Sequence, residues 1–208
     1  DDFPDPLVEE TSSPYTGWDD EDGSPISEST CSGEDFLGGH GITSTKWITK
    51  EFNFADKYTN FLLTFNWVAI DNWQGEYLIV LMNDEVIYSR SYNSDDLGTD
   101  LCGSGVKRDF EFDHEAAEYV TSCAIDSIKL TFKTTLEDKS PAEEYFGIRN
   151  ITIRGYNRCD SGCECCLRNE NSDICTTSTP PELKDSIDSN QGWSFVNDPN
   201  ETVSTLNC

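Results

Sequence analysis

Large apolar side chains alternate with smaller or polar ones through the middle of the chain, with a period of two residues. Four bulky residues share one face and their neighbours share the other: Phe61, Leu63, Phe65 and Trp67 alternate with Leu62, Thr64, Asn66 and Val68. An α-helix repeats every 3.6 residues, so this alternation is typical of a β-strand. Both faces are fairly apolar, which predicts a strand in the centre of a sandwich.

Other segments carry the same signal along the rest of the middle region. Strands are predicted over Gly75–Met82, Glu85–Tyr92, Ile128–Phe132 and Ile148–Arg154. Asn83-Asp84 lies between the first two and predicts a tight hairpin turn. A helical turn is plausible only over His114–Val120. The pattern predicts an all-β fold, an antiparallel β-sandwich or jelly roll.

The ends of the chain differ from this middle segment. Residues 1–30 hold ten acidic residues, no basic residue and four prolines, which predicts an extended acidic arm. Such an arm is either solvated and flexible or ordered on a partner through apolar anchors, for which Phe3, Leu7, Tyr15 and Trp18 are suitably spaced. We therefore predict the arm at 1–30, a β-sandwich at 31–158, and a cysteine-rich segment with a polar tail at 159–208.

The charge of the chain excludes some partners. Its 208 residues include 40 Asp and Glu against 14 Lys and Arg, a formal charge of −26. A chain this acidic repels a phosphate backbone, so a nucleic-acid partner is not expected. No apolar run approaches the ~20 residues of a membrane helix, so no membrane span is predicted in this chain.

Nine cysteines against one methionine are typical of disulfide bonding in an oxidising compartment. The sequence also begins without a methionine, as a mature secreted protein does after signal removal, so an extracellular or cell-surface location is predicted. Eight cysteines are predicted to form disulfides: Cys31, Cys102, Cys123, Cys159, Cys163, Cys165, Cys166 and Cys175. Cys208 is the candidate for a free or intermolecular cysteine, because the count is odd.

The pairing of these cysteines stays open at the level of the sequence. Cys31 with Cys159 could close the sandwich, and Cys102 with Cys123 could tie two loops. Thiolate ligation of zinc is the alternative for the cluster after Cys159, but its spacing lacks paired CxxC knuckles.

The middle segment resembles a module of the large cysteine-rich surface proteins of ciliated protists. The resemblance covers roughly residues 31–175 and rests on motifs that occur in order: Cys31, Leu37-Gly38-Gly39, Lys50-Glu51-Phe52, Ile70-Asp71-Asn72-Trp73-Gln74-Gly75-Glu76, Cys102-Gly103, Asp109, Thr134–Glu137, Glu144–Ile148 and Cys159. Cys159 opens a cluster that is similar to the furin-type repeats of those proteins. The resemblance implies a β-rich fold and an extracellular setting, and it implies no catalytic activity.

Acidic side chains in the loops of this module suggest a calcium site. Asp71, Glu76 and Glu144 supply carboxylates of the kind that Ca²⁺ takes among its six to eight oxygen ligands. The alternative is that they are solvated surface groups of a very acidic chain. Calcium is the only cofactor predicted.

Trp73 lies in a polar loop, between Asn72 and Gln74. An exposed indole flanked by amides suits sugar recognition, because the ring stacks on a sugar and the amides bind its hydroxyls. The alternative is that Trp73 packs over the end of the sandwich, as Trp47 and Trp67 are expected to pack within it. Asn150 and Asn200 each begin an N-glycosylation sequon.

No catalytic motif accompanies the two histidines, His40 and His114. Glu143-Glu144 cannot act as a glycosidase pair, because adjacent strand residues point to opposite faces. We therefore predict that the protein is not an enzyme. The leading hypothesis is a structural or adhesive surface protein that assembles with copies of itself or with neighbours through extended arms. The alternative is a calcium-assisted lectin that binds glycans.

Overall fold

The structure is a computed structural model that describes residues 4–94, 98–103, 108–136, 144–157, 165–169 and 172–176, the last two ranges by their backbone alone. Its ten strands are β1 Val8–Glu10, β2 Glu28–Cys31, β3 Glu34–Gly38, β4 Ile48–Asp71, β5 Gln74–Met82, β6 Glu85–Asn93, β7 Phe110–Thr134, β8 Glu144–Tyr156, β9 Cys165–Asn169 and β10 Ser172–Thr176. Every strand pair is antiparallel, and the described residues contain no helix and hence none that could span a membrane. The all-β antiparallel prediction is confirmed, whereas the helical turn at 114–120 is wrong because these residues lie inside β7.

Two unusually long strands, β4 and β7, fold one continuous sheet into a sandwich. Their pairing shifts register between Asn53 and Tyr58, and such irregularities let strands bend. The first half of β4 and the end of β7 join β5 and β6 in one layer, which we call the front layer. The rest of β4 and β7 joins β8, β3, β2 and β1 in the back layer.

The core lies between the layers and is made by the predicted alternation. Phe61, Leu63, Phe65 and Trp67 of β4 are all almost completely buried. The ring of Phe65 in the back layer lies 5.3 Å from those of Phe132 and Tyr88 in the front layer. The hairpin turn is also confirmed: Asn83 and Asp84 both adopt positive φ, as a two-residue primed turn between twisted strands requires.

Of the two alternatives predicted for the N-terminal segment, the solvated arm differs from the structure, and the apolar anchors of the other are present but pack on the segment's own chain. β1 pairs with β8, and Asp19 exchanges two backbone hydrogen bonds with Thr49 of β4. Tyr15 and Trp18 are buried in the main core. Residues 4–30 therefore pack on the sandwich of their own chain, because a few aromatic anchors bury enough apolar surface to order an otherwise acidic segment.

A disulfide between Cys31 and Cys102, with Cα atoms 5.2 Å apart, ties β2 to the loop before β7. The two pairings considered from the sequence, Cys31 with Cys159 and Cys102 with Cys123, are therefore wrong. Cys123 is disulfide-bonded as well. Cys159, Cys163, Cys208 and Asn200 lie outside the described residues, and of Cys165, Cys166 and Cys175 only the backbone is described.

An ion pair anchors the acidic turn that precedes β2. Lys46 Nζ lies 2.7 Å from Asp20 Oδ2, and this bond, with hydrogen bonds from the Ser24 and Asp22 amides, holds the pKa of Asp20 below its ordinary value of 3.8. The folded-state pKa is lowered, so the stability this group contributes is present above 3.8 and is lost as pH falls through the folded-state pKa.

Lys46→Met is expected to raise the pKa of Asp20 toward 3.8, because it removes the largest cause of the shift and leaves the two amide bonds. A carboxyl-detected NMR titration measures this pKa directly. Lys129→Met, which changes a lysine paired with Asp84 instead, is the matched control and should leave Asp20 unchanged. An Asp20 that titrates at the same pH in the wild type and Lys46→Met would contradict the structure of this turn.

Candidate functional site

The acidic residues proposed for calcium lie at neighbouring strand ends. Asp71 ends β4 and pairs directly with Glu144 at the start of β8, and both are buried. Glu76 lies on β5, where its carboxylate accepts a hydrogen bond from the amide of Gln74. Among the described residues no three acidic, His or Cys side chains form a group that could hold a metal ion. The three carboxylates therefore do not assemble into the predicted ligand set.

Asp109, which the sequence analysis noted only as part of a motif, organises the loop beside these acids. It is fully buried, and its Oδ1 accepts the Asp71 amide at 2.7 Å. Its Oδ2 accepts the amides of Leu101 at 2.8 Å and Cys102 at 2.7 Å. Burial raises the pKa of Asp109, and these three hydrogen bonds oppose the rise. These hydrogen bonds hold the loop in place, and both oxygens of the Asp109 carboxylate are occupied by backbone amides.

Trp73 is completely buried, which corrects its interpretation as an exposed sugar-stacking residue. Its Nε1 donates to the carbonyl of Tyr145 at 3.0 Å, and its ring centroid lies 5.5 Å from that of Trp67. The side chain of Gln74 is exposed and Asn72 is half-buried. Trp73 thus closes one end of the sandwich, which was the structural alternative, and its ring is not available to a ligand.

Two other aromatic side chains are exposed instead, both on the outer surface of the front layer. Trp47 precedes β4 and is 45% exposed, and Tyr77 in β5 is 46% exposed. Trp47 is predicted from the sequence to lie in the core, and that prediction is wrong. Ile48 is fully buried and faces inward, so the residue before it must face outward in an extended chain. Adjacent residues of an extended chain face opposite sides, so the apolar Ile48 was the feature of the sequence that could have placed Trp47 on the outer surface.

Strand register places the two aromatics on one surface. Ile48 pairs with Phe132, so Trp47 lies opposite Lys133, whose Nζ is 5.1 Å from the indole centroid. Lys133 pairs in turn with Ile79 of β5, two residues beyond Tyr77. Trp47 and Tyr77 are thus separated by two strand spacings and one repeat along the strand, or about 12 Å between Cα atoms.

The surface between them is rich in hydroxyl groups. Thr135 flanks Tyr77 and is hydrogen-bonded to its backbone, and Ser89 and Ser91 of β6 pair with Ile79 and Tyr77. We call this surface the aromatic face and define it by Trp47, Tyr77, Ile79, Lys133, Thr135, Ser89 and Ser91. It is an open strand surface that carries two aromatic planes, one cation and several hydroxyls.

The remaining sequence candidates lie elsewhere. Asn150 is half-buried on β8 and adopts a positive φ of 54°. His40 packs edge-on against Tyr145 with ring centroids 5.0 Å apart, and the amide of His114 on β7 donates to Asn66. Neither histidine is part of the aromatic face. Glu143 lies outside the described residues.

No protein-family model matches this sequence, and no curated protein matches it. Solved structures resemble the strand arrangement. The C-terminal CBM6 of LamC, a marine laminarinase from Zobellia galactanivorans, has 11% identity and a TM-score of 0.38 over 71% of this chain and 98% of its own. A carbohydrate-binding module of lichenase 5A from Cellvibrio mixtus, in complex with cellotriose, has 13% identity and a TM-score of 0.35 over 72% and 98%. Dimeric latent PorU from Porphyromonas gingivalis has 11% identity and a TM-score of 0.44 over 74% of this chain and 13% of its own.

Proposed function

We propose that this chain is a non-catalytic carbohydrate-binding module that works outside the cell and binds an oligosaccharide on its aromatic face. The observation that carries the proposal is the placement of Trp47 and Tyr77, two half-exposed rings on one open strand surface. Exposed apolar side chains that share one surface can mark a ligand site, and the planar faces of sugar rings stack on aromatic rings.

The chemistry around the two rings suits a glycan more than an apolar partner. A sugar presents C–H groups on its ring face and hydroxyls at its edge, so it needs aromatic planes together with hydrogen-bonding groups. Thr135, Ser89 and Ser91 supply such groups beside Tyr77. Because the Cα atoms of Trp47 and Tyr77 lie about 12 Å apart, we expect a ligand that contacts both side chains to contain more than one sugar ring.

The disulfides support the extracellular setting of this proposal. The Cys31–Cys102 bond and the disulfide at Cys123 are of a kind that persists in oxidising compartments. An adhesive role at a cell surface would follow from glycan binding, if the glycan belongs to a neighbouring cell or coat. Assembly through a free N-terminal arm has less support, because residues 4–30 pack on their own sandwich.

Trp47→Ala is expected to weaken oligosaccharide binding by about ten- to fifty-fold, because it removes the larger stacking plane and roughly 100 Å² of buried apolar contact. The measurement is a glycan array with the purified wild-type chain, followed by calorimetric titration of the strongest ligand. Val120→Ala is the matched control, since Val120 is a 40% exposed apolar residue on the back layer. It should leave the affinity unchanged.

The proposal fails if the wild-type chain binds no glycan on the array, or if Trp47→Ala binds like the wild type. Sedimentation of the wild type and Trp47→Ala distinguishes glycan binding from the main alternative, in which the aromatic face is a contact between copies of the chain. In that case Trp47→Ala would shift an oligomer to monomer without a change in glycan affinity.

A further inference from the structure

We propose that the ligand of the aromatic face is an acidic oligosaccharide, and that Lys133 selects it by binding a carboxylate or sulfate group of the sugar. This inference rests on the proposed function, and it names the substrate class and the residue that determines it. The observation behind it is the electrostatic environment of Lys133 in a chain with 40 acidic residues and 14 basic ones.

Five of the nine basic side chains that the structure describes bind a carboxylate. These pairs are Lys46 with Asp20, Lys50 with Glu10, Arg90 with Glu115, Lys129 with Asp84, and Arg149 with Glu34 and Glu111. Lys133 is half-buried, yet within the part of the chain that the structure describes it has no carboxylate partner. Its ammonium contacts the ring of Trp47 instead.

The neighbours of Lys133 on the sheet explain this isolation. Across the strands it lies beside Trp47 on one side and Ile79 on the other, and along β7 it lies between Thr131 and Thr135. None of these four side chains is acidic. Lys129, four residues earlier on the same face, differs because it pairs with Glu51 in register and lies 3.6 Å from Asp84. A half-buried ammonium without an anion lacks the compensation that a partner normally supplies.

The position of Lys133 fits a group carried by a stacked sugar. Lys133 Nζ lies over the ring of Trp47, 5.1 Å from its centroid, and in register Lys133 is the neighbour of Trp47 toward β5 and Tyr77. A substituent of a sugar stacked on the exposed part of this indole would therefore reach the ammonium. Two acidic residues lie on the other side of Trp47: Glu21 accepts the amide of Trp47, and Asp19 pairs with Thr49 at the sheet edge. These carboxylates would repel an anionic substituent from the edge and favour its placement toward Lys133.

The net charge of −26 does not prevent this contact. At physiological ionic strength the Debye length is about 8 Å, so acids more than that distance from the face are largely screened. A charge-assisted hydrogen bond from the ammonium acts at contact distance and is stronger than one between neutral groups. Local chemistry at Lys133 therefore decides the preference between acidic and neutral sugars.

The test compares ligand pairs that differ only in charge: oligogalacturonate with its methyl ester, and a sulfated glycosaminoglycan oligosaccharide with its desulfated form. The wild-type chain is expected to bind the charged member of one pair at least tenfold more tightly at physiological salt. Comparison of the uronate pair with the sulfate pair shows whether the chain prefers a carboxylate or a sulfate group. Lys133→Met, which keeps the apolar stem, is expected to weaken binding of the charged member about tenfold more than binding of the neutral member, and thereby to remove that preference.

Lys129→Met is the matched control, because it removes a lysine from the same strand and the same face that already has an acidic partner. It should preserve the preference. The inference is overturned if the wild type binds the neutral members as tightly as the acidic ones, or if Lys133→Met weakens both members equally. Binding of no member of either pair, with none of the neutral or acidic glycans on the array, overturns the proposed function together with it.

Discussion

Trp18→Ala is expected to lower the free energy of unfolding by about 3–5 kcal/mol, the usual cost of truncating a fully buried large aromatic side chain. Trp18 is 1% exposed although it belongs to the most acidic segment of the chain. Its ring centroid lies 5.8 Å from that of Phe52 and 5.9 Å from that of Phe132, both in the front layer. Its Nε1 donates to Glu10 at 2.7 Å, and Lys50 Nζ lies 5.5 Å from the ring centroid. One substitution thus removes core packing and a hydrogen bond between two parts of the N-terminal segment.

Chemical denaturation measures the loss, and a thermal midpoint lowered by roughly 6–20 °C should accompany it in a chain of this size. Trp47→Ala is the matched control, since the same residue type is exposed there and should cost no more than about 1 kcal/mol. Trp18→Phe keeps most of the ring and provides a folded variant if the alanine substitution prevents folding. Equal stability of Trp18→Ala and Trp47→Ala would contradict the packing of the N-terminal segment on the sandwich.

The strands were predictable because their signal is local. In Phe61–Val68 the alternation of side chains predicts which residues face the core, and each of the four bulky residues is buried as predicted. Asn83-Asp84 likewise contains its own turn preference, since both residues tolerate the positive φ that the hairpin needs. These features depend on neighbours in sequence, and the sandwich follows from them.

Trp47 is exposed where the sequence predicts a core residue, and of the two interpretations of Trp73 the packed one holds; both outcomes have physical reasons. The polar neighbours of Trp73 indicated an exposed loop, but Asp71 adopts a positive φ and the chain turns Trp73 over the core, where Tyr145 receives its N–H. That contact joins residues 72 positions apart, so local composition cannot reveal it. The aromatic face depends in the same way on the register of β4, β7 and β5.

The disulfide pairing and the position of the N-terminal segment share this dependence on the finished fold. Cys31 and Cys102 are 71 residues apart in sequence and become neighbours only when the β2–β3 hairpin packs against β8 and the loop before β7. The composition of residues 1–30 describes an average, whereas the segment is ordered by single contacts such as those of Tyr15 and Trp18. The mean charge of a segment does not predict whether single aromatic residues in it are buried.

Asp109→Asn is expected to destabilise the fold by about 1–3 kcal/mol, even though the substitution preserves size and shape. Both carboxylate oxygens of Asp109 accept backbone amides, one from Asp71 and two from Leu101 and Cys102. An asparagine has one acceptor oxygen, so in either orientation its NH₂ group faces at least one amide that needs an acceptor. A buried donor left without a partner costs about 1–3 kcal/mol.

The same change should loosen the loop that carries Cys102, because Asp109 accepts hydrogen bonds from the amides of two of its residues, Leu101 and Cys102. Hydrogen exchange measures this effect directly: the amides of Asp71, Leu101 and Cys102 should exchange much faster in Asp109→Asn, while amides in the centre of β4 change only with global stability. Asp126→Asn, at an exposed position of β7, is the control for the loss of one negative charge and should be close to neutral. If Asp109→Asn is as stable as Asp126→Asn and the protection of the three amides is unchanged, the Asp109 carboxylate does not hold the loop.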